Sequence, residues 1–257
     1  MYPKAALLVF SLLCGPVQAQ SLLSGVDMTS PAMTEATMTR EEVMQALSQD
    51  APDLTGARLN GLDLSGLDFH GATLRLARLN KADLTGANLD GATLDQAWLM
   101  EARLDDASLR GAHLFQAQLI GASARGADFT DALASGNFTK ADLTGALFTG
   151  ADLGAELGNQ SMGLMRGDLT GAIATGADFT GARLVRTLLS FATLTGTDFS
   201  GADLSTANLA GADLTGARLT GADMTDTDVT SAKLRGLVDT DASVLTPALN
   251  LNRALRD

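Results

Sequence analysis

The sequence is poor in the residues that carry most protein chemistry. Its 257 residues include one cysteine, Cys14, two histidines, His70 and His113, and one tryptophan, Trp98. A single cysteine excludes an internal disulfide framework and is compatible with any redox compartment. Neither histidine stands in a metal-ligand spacing, so no zinc site is indicated. Aromatic residues make up 4% of the chain, so the core must be built mainly from Leu and Ala with a few Phe. The 18 basic residues are scattered and the net charge is −12, which argues against nucleic-acid binding by phosphate neutralisation. Glycine is abundant, yet GADLTGA lacks the Lys and the strand-to-helix context of a phosphate loop. Aspartate recurs without an EF-hand spacing. No Ser/His/Asp arrangement is marked. The sequence therefore indicates no catalytic residue, no cofactor and no metal.

What is present is a period of five. Through Thr197–Thr225 one large apolar residue recurs at Phe199, Leu204, Leu209, Leu214, Leu219 and Met224. A small residue stands two places before each: Thr197, Ala202, Ala207, Ala212, Ala217 and Ala222. Five is neither the helical period nor that of a long strand. It suits one short strand plus a turn, with Ala202 and Leu204 facing one way and Asp203 the other. One large and one small inward residue per repeat fits a narrow tube at interior packing density. Gly201, Gly211, Gly216 and Gly221 fall where corners fall, and glycine tolerates the backbone angles a corner needs.

Tandem Ala-Asp/Asn-Leu-x-x resembles the pentapeptide repeat family, over about four-fifths of the chain that follows Ala19. The resemblance implies an all-β fold: a right-handed, quadrilateral parallel β-helix in which four pentapeptides make one coil and side chains stack every twenty residues. Repeats decide the domain count, and a solenoid grows by adding coils. Roughly 36 pentapeptides give about nine coils and a rod about 43 Å long. Some cytosolic members of the family resemble a DNA duplex in size and charge and bind DNA gyrase.

Taken in order, residues 1–19 read as a secretory signal. Lys4 supplies the positive start, Ala5–Leu13 the apolar core, Pro16 a break, and Val17-Gln18-Ala19 a cleavage site with the cut between Ala19 and Gln20. The apolar run is too short to span a bilayer, so no stable membrane insertion is expected after cleavage. Leu13 beside Cys14 is too large for a lipoprotein signal. Cleavage removes Cys14 and, among charged residues, only Lys4, which takes the charge from −12 to −13. Export to the periplasm or medium is expected. Residues 20–38, rich in Ser, Thr and Met, read as a flexible linker. Residues 39–50 read as a capping helix: Thr39-Arg40-Glu41-Glu42 is a capping box, and Val43, Met44 and Leu47 form its apolar face. Repeats occupy 51–238. Their phase slips near 130–133, with Leu133 as the next inward residue and a bulge near Asp131, and breaks again at 154–163 with a surface loop at Glu156–Met162. Residues 239–257 read as a C-terminal cap, with Thr246 as N-cap and Pro247 at the first helical position. The family resemblance adds a homodimer through this end.

Outward positions separate two blocks. From Leu164 onward the residue after each apolar centre is nearly always Thr or Ser, a bland β-favouring surface. Before that it includes Met100, Phe115 and Ile120, while the residue before the centre includes Arg58, Arg78, Trp98 and His113. Stacking every twenty residues puts Arg58, Arg78 and Trp98 in one column, Met100 and Ile120 on the same face, and Phe115 and His113 on the next. Arg78, Trp98, Met100, His113, Phe115 and Ile120 thus form a candidate patch for a protein partner of unknown identity. The leading expectation is an exported protein-binding scaffold. Two alternatives are a gyrase-binding DNA mimic, whose candidate acidic positions Asp178, Asp198, Asp203 and Asp223 are interrupted by Arg183 and Arg218, and a structural spacer of the cell envelope.

Overall fold

The computed structural model describes residues 27–155 and 165–256. The rod's regularity follows from a complete account of the main-chain N–H groups in one pentapeptide. Taking Leu54 as the inward centre, its N–H donates to Thr73 of the next coil (2.8 Å) and that of Gly56 to Arg75 (2.8 Å). The N–H of Ala57 turns back to the Leu54 carbonyl (3.0 Å), closing the corner, and Thr73 donates to Pro52 of the coil before (2.9 Å). One donor in five is left, on the residue after the centre. The aspartate before the centre takes it: Thr55 N donates to Asp53 Oδ1 (2.9 Å), and the same contact recurs from Thr85 to Asp83 and from Thr225 to Asp223. A main-chain donor left without a partner is costly, so Asp or Asn belongs before the apolar centre for structural reasons.

Each side of the coil pairs through a single residue, so the ladders are isolated parallel bridges rather than long strands. Four faces run in chain order. Face 1 pairs Asp53–Thr73–Thr93–His113, face 2 Arg58–Arg78–Trp98–Gln118, face 3 Asp63–Asp83–Arg103–Ser123, and face 4 Asp68–Asn88–Ser108–Asp128. The spacing of twenty residues matches the expected stacking. Among the described residues from Phe69 to Leu234 the inward Leu, Phe and Ala columns are buried, while Ala57, Leu62 and Leu67 of the first coil are half-buried. Where Thr replaces the small Ala, its hydroxyl is satisfied: Thr197 Oγ1 donates to Ala174 O (2.7 Å) and Thr227 Oγ1 to Leu204 O (2.8 Å). On face 4 four phenylalanines stack along the axis, Phe129 on Phe148 (4.6 Å between ring centroids), Phe148 on Phe179 (4.7 Å) and Phe179 on Phe199 (5.3 Å).

The phase slip lies elsewhere than expected. Leu133 is not inward. It is 46% exposed and pairs with His113 and Asp152 on face 1, while Ala134 is the buried centre. Asp131 is a regular corner with no bulge. The missing residue is at the corner after Ala134, where Gly136 N bonds directly to Ala134 O (2.8 Å) and the register shortens to nineteen from Gln118–Asn137 onward. A Cβ at Gly136 would stand 2.9 Å from the Ala117 carbonyl oxygen, so the shortened corner needs glycine. Ala134 suffices as a centre because Phe138 lies edge-on to both Phe129 and Phe148 and fills the core beside it. One coil later the same corner takes the opposite change. Asp152 pairs with Arg183, a spacing of 31, so eleven extra residues enter between Leu153 and Gly167. Gly167 N closes this detour onto Leu153 O (2.7 Å). The expected loop at Glu156–Met162 lies outside the described residues.

The two ends differ from the sequence reading in detail. The stretch read as a linker is, from Asp27 onward, a packed segment with one helical turn, α1 (Pro31–Thr34), whose Met33 is buried. Helix α2 (Arg40–Leu47) starts on the expected capping box, Glu42 N to Thr39 Oγ1 (3.2 Å) and Thr39 N to Glu42 Oε2 (2.8 Å). Val43 enters the core, but Met44 is 50% exposed. Arg40 donates to the Asp63 and Ser65 carbonyls and Thr37 N to the Arg58 carbonyl, which occupies acceptors on the open edge of the first coil. At the other end no helix starts at Thr246. Two 3₁₀ turns, Ala242–Leu245 and Leu251–Arg253, are each followed by a residue that continues the ladder irregularly, through Asp228–Leu249 and Lys233–Leu255. Residues 1–26, with the Ala19–Gln20 cleavage site, lie outside the described residues. No described helix is long and apolar enough to cross a membrane.

Candidate functional site

The six patch residues divide across one corner. Arg78, Trp98, Met100 and Ile120 lie on face 2, and His113 and Phe115 on face 1. His113 is exposed and the other five are half-buried. On face 1, Phe115, His113, Leu133 and Met165 line a groove of about 530 Å³, with Gln116 Nε2 2.9 Å from Met165 Sδ at its edge. Asp152 at its floor is occupied, accepting from Arg183 Nη1 (2.6 Å) and Gly154 N (2.9 Å). Nothing here pairs a nucleophile with a base. Among the described residues no group of His, Cys, Asp and Glu is placed to hold a metal ion.

Face 2 is different in kind. Over the first five coils its outward residues are Arg58, Arg78, Trp98, Gln118 and Asn137 before the centre, and Asn60, Asn80, Met100, Ile120 and Thr139 after it. None is a carboxylate, whereas each other face carries at least Asp53, Asp63 or Asp68. In place of aspartate a short asparagine ladder holds the spare main-chain donors: Asn80 N bonds to Asn60 Oδ1 and Met100 N to Asn80 Oδ1, both 3.1 Å. That leaves the amide donors of Asn60 and Asn80, each only 5% exposed, free to bind something else. They bind the N-terminal segment. Asn60 Nδ2 donates to the carbonyls of Ala32 (3.3 Å) and Glu35 (3.1 Å), Asn80 Nδ2 to that of Met33 (3.2 Å), and Arg78 Nη1 to that of Ala32 (3.4 Å). Beside Met33 a recess of about 400 Å³ opens onto Met100, Lys81 and Glu101. The sequence reading missed Asn60 and Asn80; the signal was two asparagines twenty residues apart where Thr or Ser is usual.

The acidic surface is explained by the same chemistry. Asp63 is held below the usual carboxylate range by hydrogen bonds from the side chain and then the backbone of Ser65, and Asp83 and Asp223, which accept the main-chain N–H of Thr85 (3.0 Å) and Thr225 (2.9 Å), also lie below it. For Asp128, Asp142 and Asp198, partial burial opposes ionisation, but bonds from Thr130, Thr144 or Ser200 and from Arg110, Arg125 or Arg218 outweigh it. Arg218 also bridges Asp198 and Asp239, both at 3.1 Å, and Arg183 pairs with Asp152. The carboxylate columns are thus main-chain partners broken by ion pairs, not a continuous stripe. At the C-terminal end Val238, Leu249 and Leu255 are each more than two-fifths exposed.

Comparison with known proteins agrees with the geometry. A family model described as pentapeptide repeats matches eight copies across residues 53–154 and 168–236. The chain is similar to HetL, a pentapeptide repeat protein involved in heterocyst differentiation regulation from the cyanobacterium Nostoc sp. strain PCC 7120. The identity is 31%, covering 80% of this chain and 83% of HetL, with a TM-score of 0.50. It is also similar, at 21% identity, to QnrB1, a plasmid-mediated fluoroquinolone resistance protein, over 74% of this chain and 92% of that one with a TM-score of 0.45. A third similar structure is a pentapeptide repeat protein of the Arabidopsis thaliana thylakoid lumen, at 28% identity over 43% of this chain and 66% of that one with a TM-score of 0.22. No curated protein matches.

Proposed function

Because the chain belongs to the pentapeptide repeat family, we propose that it is an exported, non-enzymatic scaffold that binds a protein partner through face 2 of its first five coils. One observation carries this reading. That face alone dispenses with the aspartates that serve the main chain elsewhere, and it presents Trp98, Met100, Ile120 and two arginines instead. Trp and Arg are the commonest anchors of protein interfaces. The groove at Phe115 and His113 extends the surface around the corner. Export rests on the signal features of Met1–Ala19. HetL, similar over four-fifths of this chain, is involved in regulation, a task that binding without chemistry can perform. Gyrase-binding DNA mimicry draws less support, because Arg183 and Arg218 interrupt and neutralise the acidic columns. A structural spacer would need no such face. Self-association through Val238, Leu249 and Leu255 at the C-terminal end is compatible with partner binding on face 2.

The test is affinity capture from fractions of the native host, with Trp98→Ser plus Ile120→Ser as the control chain. Both residues are outward, so the double variant should lose no more than about 1 kcal/mol of stability and should lose the captured partner. Unchanged capture overturns the site. Intact mass on the same fractions should give a chain beginning at Gln20 outside the cytosol. An uncleaved cytosolic chain overturns export and makes a gyrase supercoiling assay the next step.

A further inference from the structure

The way the N-terminal segment sits on face 2 is the way a peptide ligand sits in a groove. The rod's side chains contact the segment's main-chain carbonyls, at Ala32, Met33 and Glu35, and one apolar side chain, Met33, is buried to 6% exposure as an anchor. Carbonyl recognition takes little account of sequence, so a different peptide following the same path would meet the same donors. We propose that face 2 of the first coils is a peptide-docking face which residues 28–35 occupy in cis. In trans, a partner's segment takes their place with an unbranched apolar anchor where Met33 sits and a carboxylate placed to reach Arg58 and Arg78, which the cis segment does not supply. The inference rests on the protein-binding reading above and names its mode and its control.

Three independent observations support it. The donors of Asn60 and Asn80 lie buried beneath the segment and are satisfied by its carbonyls, so an occupant that offers carbonyls along the same path replaces it without leaving a buried donor unpaired. Arg58 and Arg78 have no carboxylate within ion-pair distance among the described residues, although the protein is strongly acidic, so a carboxylate on an incoming peptide has two guanidinium groups to meet. The corners give the third. Between Leu54 and Leu153, every non-glycine residue in the left-handed region other than Asp106 and Asp131 stands on the two corners that flank face 2: Leu76, Lys81, Gln96, Glu101, Gln116 and Lys140. Glycine would fit these corners without strain, as it does on the other two. Side chains are therefore kept along the margins of this face at a cost in backbone strain. The recess beside Met33, lined by Met100, Lys81 and Glu101, has room for a bulkier anchor than the cis segment provides.

The probe is a dye-labelled peptide with the sequence of residues 27–38, titrated by fluorescence anisotropy into the full-length chain. In the wild type the cis segment competes at the high effective concentration of a short tether. Met33→Asp should therefore bind the peptide saturably and at least tenfold more tightly than the wild type. Adding Asn80→Ala should abolish that binding. Should Met33→Asp disturb the coils, as read by circular dichroism, Met33→Ala replaces it. Equal binding to all chains, or none to a folded Met33 variant, overturns the docking face. A wild-type dimer that the peptide dissociates in sedimentation assigns the occupant to a second copy and overturns the partner. Loss of peptide binding with capture still dependent on Trp98 and Ile120 overturns the peptide mode alone; loss of that dependence as well overturns the scaffold reading on which it rests.

Discussion

The coils before the Gly154–Gly163 interruption and those after it share one interior and differ in what they show outside. Leu104 and Leu109 are as buried as Leu209 and Leu214, and Ala102 and Ala107 match Ala212 and Ala217. Outside, the later coils present Asp178, Thr180, Asp198, Ser200, Thr215 and Thr225, an aspartate holding the spare donor and a hydroxyl beside it. The earlier coils present Arg78, Asn80, Trp98, Met100, Phe115 and Ile120. Since the same core forms under both surfaces, the interior does not dictate Trp98, Met100, Phe115 or Ile120 on the earlier one. Divergence on a surface that folding leaves free is what a binding role looks like in a repeat protein, where each coil contacts only its neighbours.

The equality of the two interiors is the part of this comparison easiest to break. Leu104→Asp and Leu214→Asp should each unfold their local coils. Each loses about 1.5–3 kcal/mol of burial and places an unpaired charge in an apolar column. Thermal melts followed by circular dichroism should show comparable losses. A large loss in one block only would mean that the cores are not equivalent, and the outward differences could then reflect stability.

Acid sharpens the contrast between face 2 and the rest. The carboxylates of Asp83, Asp142, Asp213 and Asp223 are held below their ordinary range in the folded chain. A group whose folded value is depressed contributes stability that is present above its unfolded value, near about 4, and is lost as pH falls through the folded value. The amides of Thr85, Thr144, Thr215 and Thr225, bonded to these carboxylates, should lose protection below about pH 4, by about fivefold for a bond worth about 1 kcal/mol. The amides of Asn80 and Met100 are held by asparagine oxygens, which do not titrate. After correction for intrinsic exchange, they should keep their protection over the same range. Hydrogen exchange resolved by residue separates the two classes, and a uniform loss would erase the distinction drawn for face 2.

Much of this architecture was legible because it repeats. The inward columns, the stacking every twenty residues and the placement of Trp98 below Arg78 follow from a pattern that any one coil restates. The capping box of α2 was legible because it is local, Thr39 and Glu42 lying three residues apart. What escaped has no period. The contact of Asn60 and Asn80 with the Ala32–Glu35 carbonyls joins residues 25 to 47 apart through a segment outside the repeat. The C-terminal helix expected from Thr246-Pro247 gave way to pairing with the last regular coil, where exposed main-chain groups at 228–234 offered partners.

The phase slip shows most plainly where pattern reading stops. Leu133 and Ala134 are adjacent and both apolar, and a size rule chooses Leu133 for the interior. The structure chooses Ala134 because the rings of Phe129, Phe138 and Phe148 already fill that level of the core, and a leucine there would overpack it. The two registers predict opposite outcomes for one substitution. Leu133→Ser should change stability by no more than about 0.5 kcal/mol, the usual range for an outward site. Were Leu133 inward, the same change would cost several kcal/mol, about what a buried leucine loses on truncation. A denaturant midpoint within error of the wild type fixes the shortened corner at Ser135–Gly136, and with it the outward position of Leu133; from Asn137 onward the two registers coincide. A large loss would move the slip back to Asp131 and put Leu133 in the core. It would leave face 2 above it, whose register is set by Arg58, Arg78, Trp98 and Gln118, untouched.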